Sequence, residues 1–334
     1  MLTIKEDTKR LALPSGRRVG QSGHKSAIQY LTKRMHEEKL VPFKGNEYAL
    51  QYAEKFTNLA GIASGTNGSL KPLLIGAHYD SAIDAPSADD NAVAVALVLR
   101  IATYLKNHPL KRNIIIVFFD AEERPFFNTE NMGSIRFYKE HCTNIEFATV
   151  IILDMIGHDV STGNKLLDFL FPKTKKFLFI QGSESHRQLP EIIRNCIDSS
   201  KKLKIMTLLN KYTGDHSDHL AFRKAGIPYL FLCKGWGINS HTKNDTIDWV
   251  NFERVEKVYE LVIKIINQID VTKIEKNKKE YDPFLNDIFM KKKAIGFFFP
   301  LVLFLITQKF RLQSRDDIDL LSKRLKYFYS KVIK

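Results

Sequence analysis

The sequence predicts an α/β fold, a three-layer α/β/α sandwich around a mixed, mainly parallel sheet. Two observations lead to this prediction. Short apolar segments of strand length alternate along the chain with amphipathic segments of helical spacing. The apolar segments are hydrophobic throughout, which is typical of strands in a sheet that helices cover on both faces. With 334 residues, 44% of them hydrophobic, the chain is long enough to bury such a core.

The predicted elements follow one another along the first 270 residues. A helix is predicted at residues 21–40, where Ala27, Leu31 and Met35 have helical spacing. Residues 113–119 (NIIIVFF) are a run of β-branched and aromatic residues, typical of a strand buried on both faces. The other predicted strands are 47–62, 73–77, 148–153, 177–180 and 228–233, and the other predicted helices are 91–106, 190–201, 219–225 and 252–269.

Ionisable residues come directly after three of the predicted strands. His78 follows LLIGA, Glu122 and Glu123 follow IIIVFFDA, and Asp154 follows VIIL. Because sites in such sheets form where the carboxyl ends of strands meet loops, we expect these side chains at one edge. Imidazoles and carboxylates are also the ligands that catalytic zinc sites use.

The candidate ligands lie in five short segments of the sequence. Each segment alone has an ordinary explanation, such as a helix cap, a turn or a solvated helix start. Five of them in this order, with three at strand ends, favour one metal site over five coincidences. The segments are GAHYDS (76–81), SADDNA (87–92), DAEER (120–124), LDMIG (153–157) and HTKNDT (241–246).

These segments resemble those of the co-catalytic zinc metallopeptidases, peptidase family 28, which includes bacterial leucyl aminopeptidase and glutamate carboxypeptidase II. Glutaminyl cyclase is a relative of this family. The resemblance runs from about residue 11 to residue 269 and includes GQSGHKSAIQYLTKRM and SDHLAFRKAGIPYLFL. It implies a zinc exopeptidase-like fold and two zinc ions (Zn²⁺) per chain. The ligands implied by the resemblance are His78, Asp90, Glu123, Asp154 and His241.

The resemblance also implies a role for each residue. Asp90 would bridge the two metals, with Asp89 as the alternative, because Ser87 stands where the family has the glycine of its G-x-x-D motif. His78 and Asp154 would complete the ligands of one metal. The ligands of the other metal would be completed by Glu123 and His241.

Two further carboxylates would act without binding a metal. Asp80 would fix the tautomer of His78. Glu122 would be the general base that takes a proton from the metal-activated water and delivers it to the leaving amine. The implied function is a zinc-dependent aminopeptidase that hydrolyses the N-terminal residue of peptides with a free N-terminus.

Two alternatives stay open beside the aminopeptidase. One is a glutaminyl-peptide cyclotransferase with a single zinc, which would keep Asp90, Glu123 and His241. The other is a non-catalytic, peptidase-like binding protein. The sequence contains no G-x-S-x-G elbow, P-loop or dinucleotide fingerprint, which excludes the main competing enzyme classes.

Several other residues invite an assignment. For His216 and His219 we expect a structural role, such as capping of the following helix by Asp215, Ser217 or Asp218. Candidates for the wall of the substrate pocket are Phe126, Phe127 and Trp236, whereas no role can be argued for His158.

The formal net charge of +14 is concentrated near the C-terminus. Residues 271–334 carry fifteen Lys or Arg against seven Asp or Glu, a net charge of +8. No nucleic-acid motif accompanies this charge, so we expect no nucleic-acid partner. We predict a catalytic domain at residues 1–270 and a basic, Phe-rich extension of unknown role at residues 271–334.

The extension contains AIGFFFPLVLFLIT (294–307), fourteen residues without a charge. Packing against protein, contact with a membrane surface through residues 290–311, and a full membrane span are the alternatives for this segment. The N-terminal residues have no apolar run of signal-peptide length, and the three cysteines are widely spaced. We therefore predict a cytoplasmic protein with peripheral membrane association as an option; the sequence leaves its oligomeric state open.

Overall fold

A computed structural model describes residues 2–161, 168–169, 172–197, 202–274, 281–296 and 299–332. Its centre is a nine-stranded sheet in the order β1-β3-β5-β4-β6-β9-β7-β8, with β2 paired to β3. The strands are β1 (Val41–Pro42), β2 (Ala49–Tyr52), β3 (Phe56–Ala63), β4 (Leu73–His78), β5 (Ile114–Phe119), β6 (Thr149–Leu153), β7 (Phe177–Gln181), β8 (Lys204–Leu208) and β9 (Tyr229–Cys233).

The sheet is mixed, with a parallel centre. Strands β5, β4, β6 and β9 run parallel to one another, as do β7 and β8, whereas β1, β2 and β3 are added antiparallel. Strand β7 pairs antiparallel with β9. The predicted fold class is therefore confirmed.

The helices are α1 (Ile4–Leu11), α2 (Ser22–Glu37), α3 (Val93–Asn107), α4 (Gly133–Phe137), α5 (Leu189–Cys196), α6 (Asn210–Thr213), α7 (His219–Lys224), α8 (Phe252–Val271), α9 (Phe284–Ile295), α10 (Phe299–Thr307) and α11 (Arg315–Val332). Residues 198–201 of one predicted helix lie outside the described residues. The strand-like stretch predicted at 47–62 is a hairpin of β2 and β3. Eight elements have no counterpart in the prediction: helices α1, α4, α6, α9, α10 and α11 and strands β1 and β8. Several of them are short, such as α1 with eight residues and β1 with two.

Both faces of the central strands are buried, which explains their uninterrupted apolar sequence. Along β5, Ile114, Ile116 and Phe118 join the core cluster formed with α1, α2, α3 and α8. The alternate residues Ile115 and Val117 point to the opposite cluster, which contains side chains of α4 and α7. Alternation along the strand thus supplies both cores, and the helices close the outer layers.

A buried ion network joins the first two helices. The Nε of Arg34 on α2 donates to Asp7 on α1 at 2.9 Å, and its guanidinium lies 3.0 Å from Glu38. We expect Arg34→Met to leave Asp7 buried without its cationic partner, whereas Glu38 keeps Lys106 at 2.7 Å. The free energy of unfolding, measured by denaturant titration, should fall by about 3–5 kcal/mol.

The neighbouring Lys33 offers a matched control. Its ammonium is 3.8 Å from Glu37, and its side chain is 73% exposed. Lys33→Met should change the free energy of unfolding by less than about 0.5 kcal/mol. Equal effects of the two substitutions would contradict the assignment of Arg34 as a buried link between helices.

The described part of the extension packs against the sheet and against α6. Thr207 of β8 donates its hydroxyl to Asp287 of α9 at 2.7 Å, and Lys291 donates to the Thr207 carbonyl at 3.1 Å. Phe299 and Leu303 of α10 lie in a third apolar cluster with side chains of α6 and α11. Residues 297 and 298 of the uncharged segment lie outside the described residues. Among the residues that the structure describes, no helix has the length and apolarity needed to cross a bilayer.

Candidate metal centre

The order of the strands brings the predicted ligands to one edge of the sheet. His78 is the last residue of β4, which lies between β5 and β6. Glu122 and Glu123 come three and four residues after the end of β5, and Asp154 directly follows β6. Because these three strands are parallel, their carboxyl ends open at the same place.

Two groups of ligand atoms form at this edge and share one residue. In the first group, His78 Nε2 lies 3.3 Å from Asp90 Oδ1 and 3.4 Å from Asp154 Oδ1. In the second group, His241 Nε2 lies 3.1 Å from Asp90 Oδ2 and 3.0 Å from Glu123 Oε1. Within each group the ligand atoms lie within 4.8 Å of one another. Asp90 therefore presents one carboxylate oxygen to each histidine.

The two aspartates of the SADDNA segment have different surroundings. Asp89 Oδ1 accepts hydrogen bonds from the backbone N–H groups of Gly157 and His158, and Asp89 Oδ2 lies 2.6 Å from His158 Nδ1. Asp245 accepts the N–H groups of Asp89 at 2.8 Å and Asp90 at 3.0 Å. The structure thus places Asp90 between the histidines, while Asp89 ties its loop to the segment after β6.

Asp80 lies beside the histidine and contacts the backbone of the two glutamates. Its Oδ1 lies 3.3 Å from His78 Nδ1. Its two oxygens also accept the backbone N–H groups of Glu122 and Glu123, both at 3.1 Å. Glu122 Oε2 is 4.0 Å from His78 Nε2, farther than the oxygens of the first ligand group. A third possible set consists of His78 and both glutamates, whose ligand atoms also lie within 4.8 Å of one another.

A hydrogen-bonded turn that the sequence did not predict lies just before the two glutamates. The carboxylate of Asp120 accepts the N–H groups of Thr57 at 2.7 Å and Ala121 at 2.8 Å, and it lies 2.8 Å from His24 Nε2. Ala121 has a φ of 53°, a left-handed conformation that these bonds hold in place. In the sequence, only the resemblance of the GQSGHK segment to the metallopeptidase family pointed to His24.

Arg17 is a second residue whose role the sequence did not predict. It is fully buried, and its guanidinium donates only to backbone carbonyls on the loop after β4 and at the end of α1. Burial lowers the pKa of Arg17 to about 10, although Asp245 and Asp80 oppose this shift. Its hydrogen bonds therefore stabilise the loop that carries the candidate ligand Asp90. The accepting carbonyls are those of Leu11, Tyr79, Pro86 and Ser87.

The electrostatics of the cluster fit a bound cation. Burial, reinforced by the negative charges of Glu123 and Asp154, raises the pKa of Glu122 well above its usual range, although His78 opposes this shift. Burial and Asp90 raise the pKa of Glu123 to about 7. Carboxylates held together in a buried place favour either protons or positive ions. Nitrogen and oxygen ligands in groups of three are the donor set that zinc takes in catalytic sites.

His219 lies outside both ligand groups. It is buried between two aromatic rings, with its ring centroid 4.3 Å from that of Phe231 and 5.5 Å from that of Tyr229. The role that these contacts indicate for this histidine is packing between aromatic rings. The predicted cap is wrong: within the described residues, Asp218 occupies the N-cap position of α7 and no side chain forms a capping hydrogen bond there. Asp215 instead forms a two-bond pair with Arg223.

The burial of His219 predicts a stability that depends on pH. Burial lowers its pKa to about 3, against 6.5 when exposed, so the unfolded chain binds more protons between these values. Stability should therefore be lost as pH falls from about 6.5 to about 3, by at most about 5 kcal/mol from this residue. In urea titrations, His219→Phe should lack this part of the acid sensitivity. A constant difference between the two proteins across this pH range would contradict the prediction.

The aromatic residues predicted for the pocket wall separate into two environments. Trp236 meets His241 edge-on, with ring centroids 4.7 Å apart, and remains 53% exposed. Phe126 instead packs edge-on against Phe56, with centroids 5.0 Å apart, in a small apolar cluster that includes Ala121. Trp236 therefore lies beside the candidate ligand His241, whereas Phe126 supports the turn that carries the glutamates.

Curated proteins with similar sequences include a peptidase. The uncharacterized protein YfbL of Escherichia coli is 28% identical over 248 residues, which are 68% of this chain and 72% of YfbL. Aminopeptidase YwaD of Bacillus subtilis is 26% identical over 253 residues, which are 72% of this chain. The match covers 49% of YwaD, so this chain spans about half the length of that relative.

Solved structures show the same fold. A glutaminyl cyclase from Porphyromonas gingivalis superposes with a TM-score of 0.63 at 17% identity, over 80% of this chain and 97% of that chain. A leucine aminopeptidase precursor from Bacteroides thetaiotaomicron gives a TM-score of 0.61 at 17% identity, over 79% and 96% of the two chains. The sequence model of peptidase family M28 matches residues 58–266, more than half of the chain. Together with the buried groups of histidine and carboxylate ligands, this match identifies the chain as a member of peptidase family M28.

Proposed function

We propose that this protein is a zinc-dependent aminopeptidase that removes the N-terminal residue of peptides. The observation that carries the proposal is the pair of ligand groups that share Asp90. Two groups of three ligands can hold two ions, and a paired site is suited to binding both a scissile carbonyl and a free amine. The similarity to aminopeptidase YwaD supports the same activity.

The residues for two zinc ions fit the donor chemistry of that metal. His78, Asp90 and Asp154 would hold one ion, and Asp90, Glu123 and His241 would hold the other. When bound, zinc lowers the pKa of a coordinated water and polarises a carbonyl oxygen. We assign this activity to residues 1–270 as the catalytic domain, because the ligands and the family match both lie within them.

Glu122 is proposed to move the proton. Its carboxylate is held near His78 but farther away than the ligands Asp90 and Asp154. It would accept the proton of the attacking water and deliver it to the leaving amine. The backbone N–H of Glu122 donates a hydrogen bond to the Asp80 carboxylate, and this bond holds the turn that orients the Glu122 side chain.

The proposed paired site favours a substrate with a free N-terminus. A free amine would bind one ion while the other polarised the scissile carbonyl. Trp236 beside His241 offers an exposed aromatic face to the side chain or backbone of the bound residue. A peptide with an acetylated N-terminus would lose the amine contact and should be a poor substrate.

A panel of aminoacyl fluorogenic substrates tests the proposal. Release of the fluorophore should require zinc, stop with a chelator and return when zinc is added again. Matched N-acetylated substrates should be cleaved far more slowly. Absence of chelator-sensitive release from every substrate would contradict the aminopeptidase proposal.

The same preparation separates the alternatives. A glutaminyl-peptide cyclotransferase would convert an N-terminal glutamine to pyroglutamate without cleaving the peptide, and it would contain one zinc per chain. The His78, Asp90 and Asp154 group instead favours two zinc ions. A non-catalytic binding protein would show neither reaction with zinc bound. Mass spectrometry of products from a glutamine-initiated peptide, together with metal analysis, distinguishes these outcomes.

A further inference from the structure

The C-terminal extension carries an exposed apolar patch that neither the core nor the metal centre uses. The patch consists of Phe304, Leu305 and Phe310. The rings of Phe304 and Phe310 stack with centroids 4.4 Å apart. Leu305 remains 67% exposed and Phe310 remains 60% exposed. The opposite side of the same helix, with Phe299 and Leu303, is buried in the third apolar cluster. Helix α10 is therefore anchored on one side and presents large apolar side chains on another.

Three basic residues lie close to this apolar patch. Lys309 and Arg311 flank Phe310 in the chain, and both are exposed. Arg324 of α11 donates to the Ile306 carbonyl at 2.8 Å, which places a third cation at the end of α10. Lys309 pairs with Asp317, so its charge is partly balanced locally. The whole extension still has a net charge of +8, fifteen basic against seven acidic residues.

We propose that the patch of Phe304, Leu305 and Phe310 docks on the surface of an anionic lipid bilayer. Exposed aromatic and aliphatic side chains partition into the boundary between headgroups and acyl chains, and basic residues beside them attract anionic headgroups. Nucleic acid would use the cations but would leave the apolar side chains in water. A lipid surface satisfies both features together. The helix rests on the surface, with its buried side still packed on the protein.

Vesicle co-sedimentation of the full chain tests the proposal. The protein should sediment with vesicles of phosphatidylcholine and phosphatidylglycerol, and much less with phosphatidylcholine alone. Raised salt should weaken the binding, because it screens the headgroup charge. The double substitution Leu305→Ser with Phe310→Ser should lower the partition coefficient about tenfold or more, because two exposed apolar groups are lost.

A matched substitution controls for a general loss of surface apolarity. Val271 at the end of α8 is 67% exposed, and Val271→Ser should leave the partition coefficient unchanged. Circular dichroism and chelator-sensitive peptidase activity in solution should be the same for all variants, so failure of docking is distinguishable from failure of the proposed reaction. Equal sedimentation with both vesicle types, or equal binding by the double variant, would overturn the proposal. A self-association that the double variant abolishes, without vesicle binding, would assign the patch to a second copy of this chain instead.

Discussion

Glu122→Gln is expected to lower kcat by about 10³-fold while the zinc content stays at the wild-type value. The amide keeps the size of the side chain but cannot accept the proton of the attacking water. General bases of this kind contribute about 10²–10⁴ to the rate. The Glu122 carboxylate lies 4.0 Å from His78 Nε2, beyond the ligands of the first group, so its loss should leave the metals in place. Steady-state kinetics and metal analysis on the same preparation measure both effects.

Glu123→Gln is the matched comparison, because the same change is made one residue further along. Glu123 lies 3.0 Å from His241 Nε2 within the second ligand group. Its substitution should lower zinc content as well as kcat, and added zinc should restore part of the activity. If Glu122→Gln lost zinc and Glu123→Gln retained it, the roles of the two glutamates would be exchanged. Loss of zinc from both variants would agree with the third possible ligand set, in which both glutamates contribute an oxygen.

Asp90→Ala is expected to abolish activity and to reduce zinc to well below one ion per chain. The wild-type protein should contain close to two. Because Asp90 presents one oxygen to each histidine, its removal takes a ligand from both groups at once. Substitution of a residue that only supports a ligand typically lowers metal affinity about 10- to 100-fold. The loss of metal affinity in Asp90→Ala should be larger than that. Zinc retained per chain after dialysis against a metal buffer measures the effect.

Asp89→Ala supplies the control for this second prediction. Asp89 holds the N–H groups of Gly157 and His158 but does not face either ligand histidine. Its substitution should lower the unfolding temperature while zinc content falls less than in Asp90→Ala. A greater loss of zinc from Asp89→Ala would make Asp89 the bridging residue. Loss of only one zinc from Asp90→Ala would show that the two groups do not share this carboxylate.

The residues near the site show which parts of it could be predicted from the sequence. His78, Glu122, Glu123 and Asp154 could be predicted to converge, because each follows an apolar strand and parallel strands end together. His241 comes from a loop after β9, so its place depended on the resemblance rather than on periodicity. The helix cap predicted near His219 is wrong, because Asp218 at the N-cap position forms no capping hydrogen bond and Asp215 pairs with Arg223 inside the helix. Local patterns do not reveal such competing partners.

The sequence alone determined the α/β/α class, the M28 family and the set of candidate ligands. Tertiary structure decided which of Asp89 and Asp90 faces the histidines, because that choice depends on the bonds from Asp245 and His158, far away in the chain. It also decided the roles of Arg17 and Asp120, whose partners are mostly backbone groups without a sequence signature. The periodicity of apolar residues indicates which face of a helix or strand is buried. The orientation of a buried charged side chain is set by partners that only folding brings together.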